Sequence, residues 1–178
     1  MKIVRLVIAL LTAALLAAPL HTLAAEYQPE PYQPGKDVIW LPTPDSLVAK
    51  MLDLAQVTAK DVVIDLGSGD GRTVIAAAKR GARALGIEYN PDMVEFATRA
   101  AQKASVESKA RFIKADLFEA DFSEATVITM YLLSSLNMKL RPKILGLKPG
   151  TRIVSHAFDM SDWKPDTIIT TEGRNAYL

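Results

Sequence analysis

The chain has 178 residues, 49% hydrophobic and 23% charged, with 21 Lys and Arg against 20 Asp and Glu. That balance describes one globular domain with a substantial core, and a net charge of +1 gives no reason to expect nucleic acid as a partner. With no cysteine and only two histidines, disulfides, thiolate nucleophiles and Cys-ligated zinc are excluded, and no metal site is expected.

Residues 1–25 differ in kind from the rest. Lys2 and Arg5 precede the apolar run LVIALLTAALLAAPL, and small residues follow in HTLAA. A charged start, an apolar stretch and a cleavage point after Ala24 or Ala25 describe a secretory signal peptide. The same run also reads as an uncleaved membrane anchor, slightly short for a full span, or as a buried helix. The first two readings predict a protein exported to the periplasm or tethered to a membrane by this segment, since Lys2 and Arg5 hold the N-terminus inside. Residues 26–42, EYQPEPYQPGKDVIWLP, carry four prolines and read as an extended linker that ends by docking. The globular domain is then 43–178.

Thr43-Pro44-Asp45 has the form of a helix start, with Thr43 as N-cap and proline at the first helical position. Leu47, Val48, Met51, Leu52 and Ala55 continue it with one apolar face. Val62 to Asp65 is a short apolar strand, and Arg72 to Arg80 a helix closed by Gly81. Ala84 to Glu88 is a second strand. Asn90-Pro91-Asp92 repeats the cap-and-proline signal and opens a helix to about Ser105. Arg111 to Ala115, Thr126 to Tyr131 and Arg152 to His156 are further strands, with a helix from about Ser135 to Leu147. Strands that are continuous apolar runs, alternating with helices, predict a doubly wound, mostly parallel α/β sheet covered on both faces. Ligands of such sheets bind beyond the carboxyl ends of the strands.

The first such end reads DLGSGDG, residues 65–71. A dinucleotide site wants G-x-G-x-x-G, which from Gly67 and Gly69 places the third glycine at 72. That residue is Arg72, and the glycine stands at 71. A phosphate loop with its lysine is absent, and Asp65 and Asp70 repel a pyrophosphate. They suit a cation. S-adenosylmethionine carries a sulfonium, an ammonium and no phosphate. Asp65 matches its ammonium, Glu88 can accept from both ribose hydroxyls, and Asp116 can accept from the adenine amino group. The plainer readings are a turn residue, a solvated strand end and a helix cap, respectively.

With these motifs the chain resembles the class I methyltransferases. Asp65, Gly67, Ser68, Gly69 and Gly71 fall in their first motif, Glu88, Tyr89 and Asn90 in the acidic loop GIEYN (86–90), and Asp116 and Leu117 in KADL (114–117). The resemblance implies a Rossmann-like fold, S-adenosyl-L-methionine as cofactor, and these residues around it. WLPTP (40–44), TMYLLSSLN (129–137) and LKPGTRIVSHAFDM (147–160) are similar to the small lysine methyltransferases related to the mitochondrial enzyme of the ATP synthase c-subunit. That similarity covers roughly residues 38–166 and implies N-methylation of a protein lysine in a membrane-associated setting.

The acceptor side is less determined. The chain has MYLLSS where DNA and glutamine N-methyltransferases generally have N-P-P-Y or D-P-P-Y, so that subclass is disfavoured. Tyr131 is the leading catalytic candidate, receiving the incoming ammonium or steering its lone pair, with a core aromatic as the alternative. Thr43 either closes over the methionine end or caps its helix. His156 is a proton acceptor or a structural histidine, and Trp40 and Trp163 read as core rather than as a methyl-lysine cage. After Thr167 to Thr171 only EGRNAYL follows, which predicts an incomplete C-terminal strand hairpin and an edge open to association. A binding domain without turnover and a nicotinamide-type oxidoreductase are the alternatives in function. Oligomeric state is not readable.

Overall fold

The computed structural model describes residues 26–178, so the readings of residues 1–25 as signal peptide or anchor lie outside it. Its strands are β1 Val62–Leu66, β2 Arg83–Glu88, β3 Ala110–Lys114, β4 Val127–Met130, β5 Arg152–His156, β6 Ile168–Thr171 and β7 Arg174–Tyr177. Its helices are α1 Asp45–Leu54, α2 Arg72–Lys79, α3 Pro91–Lys103 and α4 Ser134–Leu145. The sheet order is β3-β2-β1-β4-β5-β7-β6. β1 to β5 run parallel, and β7 is antiparallel to both its neighbours. The chain winds outward from β1 through β2 to β3, then returns to place β4 on the other side of β1. That reversal opens a crevice above the carboxyl ends of β1 and β4.

Period-two alternation divides the core. Val63, Val127 and Val154 face a layer made by Leu47, Val48, Met51 and Leu52 of α1 with Val74, Ala77 and Ala78 of α2. Ile64, Leu66, Ile128 and Met130 face the other layer, with Phe122 and with Leu140 and Ile144 of α4. Burying each Val, Leu or Ile contributes about 1.5–3 kcal/mol, which explains why β1 and β4 are apolar at nearly every position. Asp65 and Thr129 are the polar exceptions, and they pair with each other.

Two local expectations require correction. Thr43 is not the cap of α1: Pro44 holds the N-cap position, no side chain caps the helix, and the Thr43 hydroxyl bonds His156 instead. The C-terminal hairpin is not incomplete. Glu172 and Gly173, at φ 53° and 73°, connect β6 to β7. Two successive residues at positive φ match the right-handed twist of a tight hairpin, so two four-residue strands fit where a longer connection would not. β7 then inserts between β5 and β6 and supplies the antiparallel edge. The cap of α3 is as expected: the Asn90 side chain accepts from the Asp92 N–H at 2.9 Å, with Pro91 following.

Candidate functional site

A cleft of about 1040 Å³, counting its space open to solvent, lies over the strand ends. Asp65, Gly67, Ser68, Glu88, Tyr89, Asn90, Asp116, Leu117, Tyr131 and Thr43 all line it, so the residues singled out on four separate strands meet in one place. Gly69 and Gly71, expected at the cofactor, are not among the residues lining it and instead pack behind the loop. Both have positive φ, 51° and 81°. A Cβ on Gly71 would stand 2.6 Å from the Phe112 ring and 2.8 Å from Ala97, and one on Gly69 would stand 2.3 Å from the Trp40 indole nitrogen. Gly71 thus performs the close helix-to-sheet packing that a dinucleotide loop assigns to the next residue, where this chain has Arg72.

Asp65 is 6% exposed. Its one side-chain hydrogen bond comes from the Thr129 hydroxyl at 2.6 Å. Burial pushes its carboxyl up to about 7, against the Thr129 hydrogen bond, and the charges of Asp70 and Glu88 add to the rise. Among the described residues no basic side chain pairs with it. Glu88 ends β2 with both oxygens engaged: one accepts from the Gly69 N–H at 3.0 Å, the other from the Asn90 N–H at 2.9 Å. These bonds tie the glycine loop to the β2 exit and leave a lone pair on each oxygen.

Asp70 behaves differently from its sequence reading as a free acid. Arg72 grips it with Nε at 3.0 Å from both oxygens and Nη2 at 2.6 Å. Asp116 is also paired, with Lys36 Nζ at 2.5 Å, and accepts from the Phe118 N–H at 2.9 Å. The Lys36 hydrogen bond, then that of Phe118, holds its carboxyl below the ordinary range. Among the described residues, the acidic groups of the cleft without a basic partner are therefore Asp65 and Glu88.

Lys36 belongs to a segment whose chemistry the sequence does not announce. Residues 33–43 line the cleft. They form a narrow arm, in which the Tyr32 N–H donates to the Trp40 carbonyl and the Trp40 N–H to that of Gln33, both at 2.9 Å. Prolines mask this pairing, since they read as linker. The usable signal is Trp-Leu-Pro just before the first helix, a large aromatic with nothing yet to pack on.

At the exit of β4 the Tyr131 ring lies 3.8 Å, centroid to centroid, from His156 and 6.1 Å from Phe158. His156 is fully buried, its Nδ1 is 2.9 Å from the Thr43 hydroxyl, and its Nε2 is buried without a partner among the described residues. Burial, then the charge of Arg174, lowers its pKa to about 4. It is neutral near pH 7 and a weak base, which favours the structural reading over proton acceptance. Asp159 is exposed and outside the cleft. Trp163 packs against the other core layer as expected, whereas Trp40 lines the cleft instead of joining the core, so the two form no cage.

The ANTKMT methyltransferase domain model matches residues 65–167. A protein-lysine N-methyltransferase of Saccharolobus islandicus is 44% identical over 141 residues, 78% of this chain and 88% of that protein. The Mus musculus lysine N-methyltransferase of the ATP synthase c-subunit is 36% identical over 105 residues, and the match covers 58% of this chain but only 42% of the mouse protein. Among solved structures, an RNA methyltransferase from Salinibacter ruber in complex with S-adenosyl-L-homocysteine superposes with a TM-score of 0.75 and 52% identity, covering 77% of this chain and 91% of that one.

Proposed function

We propose, for a chain that belongs to the ANTKMT methyltransferase family of S-adenosylmethionine-dependent enzymes, that its methyl acceptor is the ε-amino group of a protein lysine. The observation that carries the cofactor half of this reading is Asp65: a buried carboxyl with no basic partner among the described residues, at the head of a glycine loop, next to Glu88. That set of acceptors fits an amino-acid ammonium and a ribose diol, and it does not fit a pyrophosphate.

When bound, S-adenosylmethionine supplies a methyl group made electrophilic by its sulfonium. In our reading Asp65 holds the ammonium, and the remaining lone pairs of Glu88 accept from the ribose hydroxyls. Asp116 and Leu117 flank the base, with Tyr89 and Asn90 at the rim. The acceptor lysine must be neutral to attack, and a free lysine has a pKa near 10.4. Desolvation in the cleft lowers that value. Tyr131 lines the path by which the amine enters, and its hydroxyl orients the nitrogen lone pair. Thr43 braces that wall through His156. His156, with its pKa lowered to about 4, is not the base, and the lysine proton leaves to water. Orientation of this kind can supply roughly 7–11 kcal/mol of rate acceleration.

The lysine acceptor is supported by the Saccharolobus relative, which matches over most of its length. The Salinibacter relative favours a second reading, RNA as acceptor. Charge weighs against it. Without Lys2 and Arg5, residues 26–178 hold 21 − 2 = 19 basic against 20 acidic residues, and nucleic-acid surfaces are basic. Tritiated methyl from the cofactor should enter protein in a cell extract and emerge as methyl-lysine on acid hydrolysis. Label in RNA, or none despite cofactor binding, would refute the lysine assignment. We also read residues 1–25 as directing the domain to a membrane or across it. A full chain recovered wholly in the soluble cytosolic fraction would refute that.

A further inference from the structure

The cleft has a cover of its own, and its two ends are held in different ways. At the acceptor end Thr43 is 7% exposed, bonded to His156, and its carbonyl accepts from Arg72 at 2.9 Å. At the other end, among the described residues, the only side-chain bond from the arm to the cleft is Lys36 to Asp116, at 2.5 Å, with Lys36 about one-third exposed. The Lys36 ammonium also stands 4.9 Å from the Tyr89 ring and 5.9 Å from that of Phe118. It therefore sits among the groups that flank an adenine in the proposed cofactor pose. Between the two ends, the Trp40 indole rests against Gly69 of the glycine loop. Beyond Trp40 the arm lies at the surface, closed by a single bridge between Pro34 and Ile39, with Tyr32 70% and Ile39 54% exposed.

We infer that residues 32–40 are a lid over the adenosyl half of the cleft, latched by Lys36 on Asp116, and that cofactor entry displaces this latch. The inference rests on the cofactor reading. Lys36 and the base compete for one carboxylate, so the latched form binds cofactor less well than the open one. The measured dissociation constant is then the intrinsic one divided by the fraction of molecules open. An ion pair this exposed is weak, and that keeps the effect modest. The family match begins at residue 65 and does not include the arm.

The test is binding, not turnover. S-adenosylhomocysteine is mixed with the full chain carrying Trp163→Phe, so that Trp40 is the sole tryptophan and reports on the lid. Lys36→Gln, a surface change, should tighten binding about three-fold and speed association. Raising salt should speed association in the parent and leave the Lys36→Gln protein nearly unchanged, because only the parent has the pair to screen. A parent that binds while Lys36→Gln binds equally or more weakly overturns the latch and leaves the cofactor reading standing. A parent that does not bind at all overturns both.

Discussion

Replacing Asp65 by Asn should make the ligand-free protein more stable at alkaline pH while removing its function. The carboxyl has an ordinary value of 3.8 and is pushed to about 7 in the fold. A folded-state value above the unfolded one means that the native protein binds the proton more tightly. The cost is absent below about pH 4 and grows as pH rises towards 7, where it levels off. Moving a carboxyl from 3.8 to about 7 corresponds to about 4 kcal/mol. In a domain of this size that is on the order of 10 °C in Tm. The parent's curve alone does not display it, because His156 acts in the opposite sense. Its pKa falls from 6.5 to about 4, so its contribution is present above 6.5 and is lost as pH falls through 4. The difference between Asp65→Asn and parent isolates the aspartate, and Asn still accepts the Thr129 hydrogen bond. Denaturant melts from pH 4 to pH 8 should show that difference near zero at the acid end and rising with pH in favour of the variant. A flat difference, or a variant that is less stable at pH 8, would refute the burial of an uncompensated carboxylate.

Other substitutions separate packing from binding. Glu88→Gln keeps one acceptor oxygen and sets an NH2 against either the Gly69 or the Asn90 N–H, so it should loosen the glycine loop and lower cofactor affinity by more than ten-fold, about 1.4 kcal/mol; calorimetry reads this. Gly71→Ala forces a Cβ against Phe112 and Ala97 at φ 81°, and should cost about 1–3 kcal/mol in a denaturant melt. Thr43→Val leaves His156 Nδ1 without its partner and should cost about 1–3 kcal/mol of stability. With His156 neutral, kcat/KM should show no inflection belonging to histidine between pH 6 and 7, and such an inflection that vanishes in His156→Asn would contradict the structural role.

Much of the sheet is legible in the sequence because burial on both faces leaves a strong trace: β1 and β4 are apolar at every position but Asp65 and Thr129. The cofactor side is legible for a related reason. Its carboxylates sit at strand ends, and strand ends can be located from the runs before them. What escapes depends on pairing between side chains that no local pattern links. Arg72 neutralises Asp70, and Lys36 neutralises an Asp116 that lies 80 residues away. Glu172-Gly173 is a weaker hairpin signal than Asn-Gly or Asp-Gly, so the closing turn reads as a tail. Thr43 carries a genuine capping signature, Thr-Pro-Asp, that a buried histidine 113 residues away overrides.

Asp65 is a buried carboxyl that gains its positive partner only when the ligand binds. Titration of S-adenosylhomocysteine into the full chain, in two buffers of different ionisation enthalpy, counts the protons released on binding. At about pH 6 most molecules carry a proton on Asp65, and pairing with the ligand ammonium should expel roughly 0.9 of one, falling to about 0.1 near pH 8. Binding with no proton release at pH 6, or no binding at either pH, would contradict that pairing.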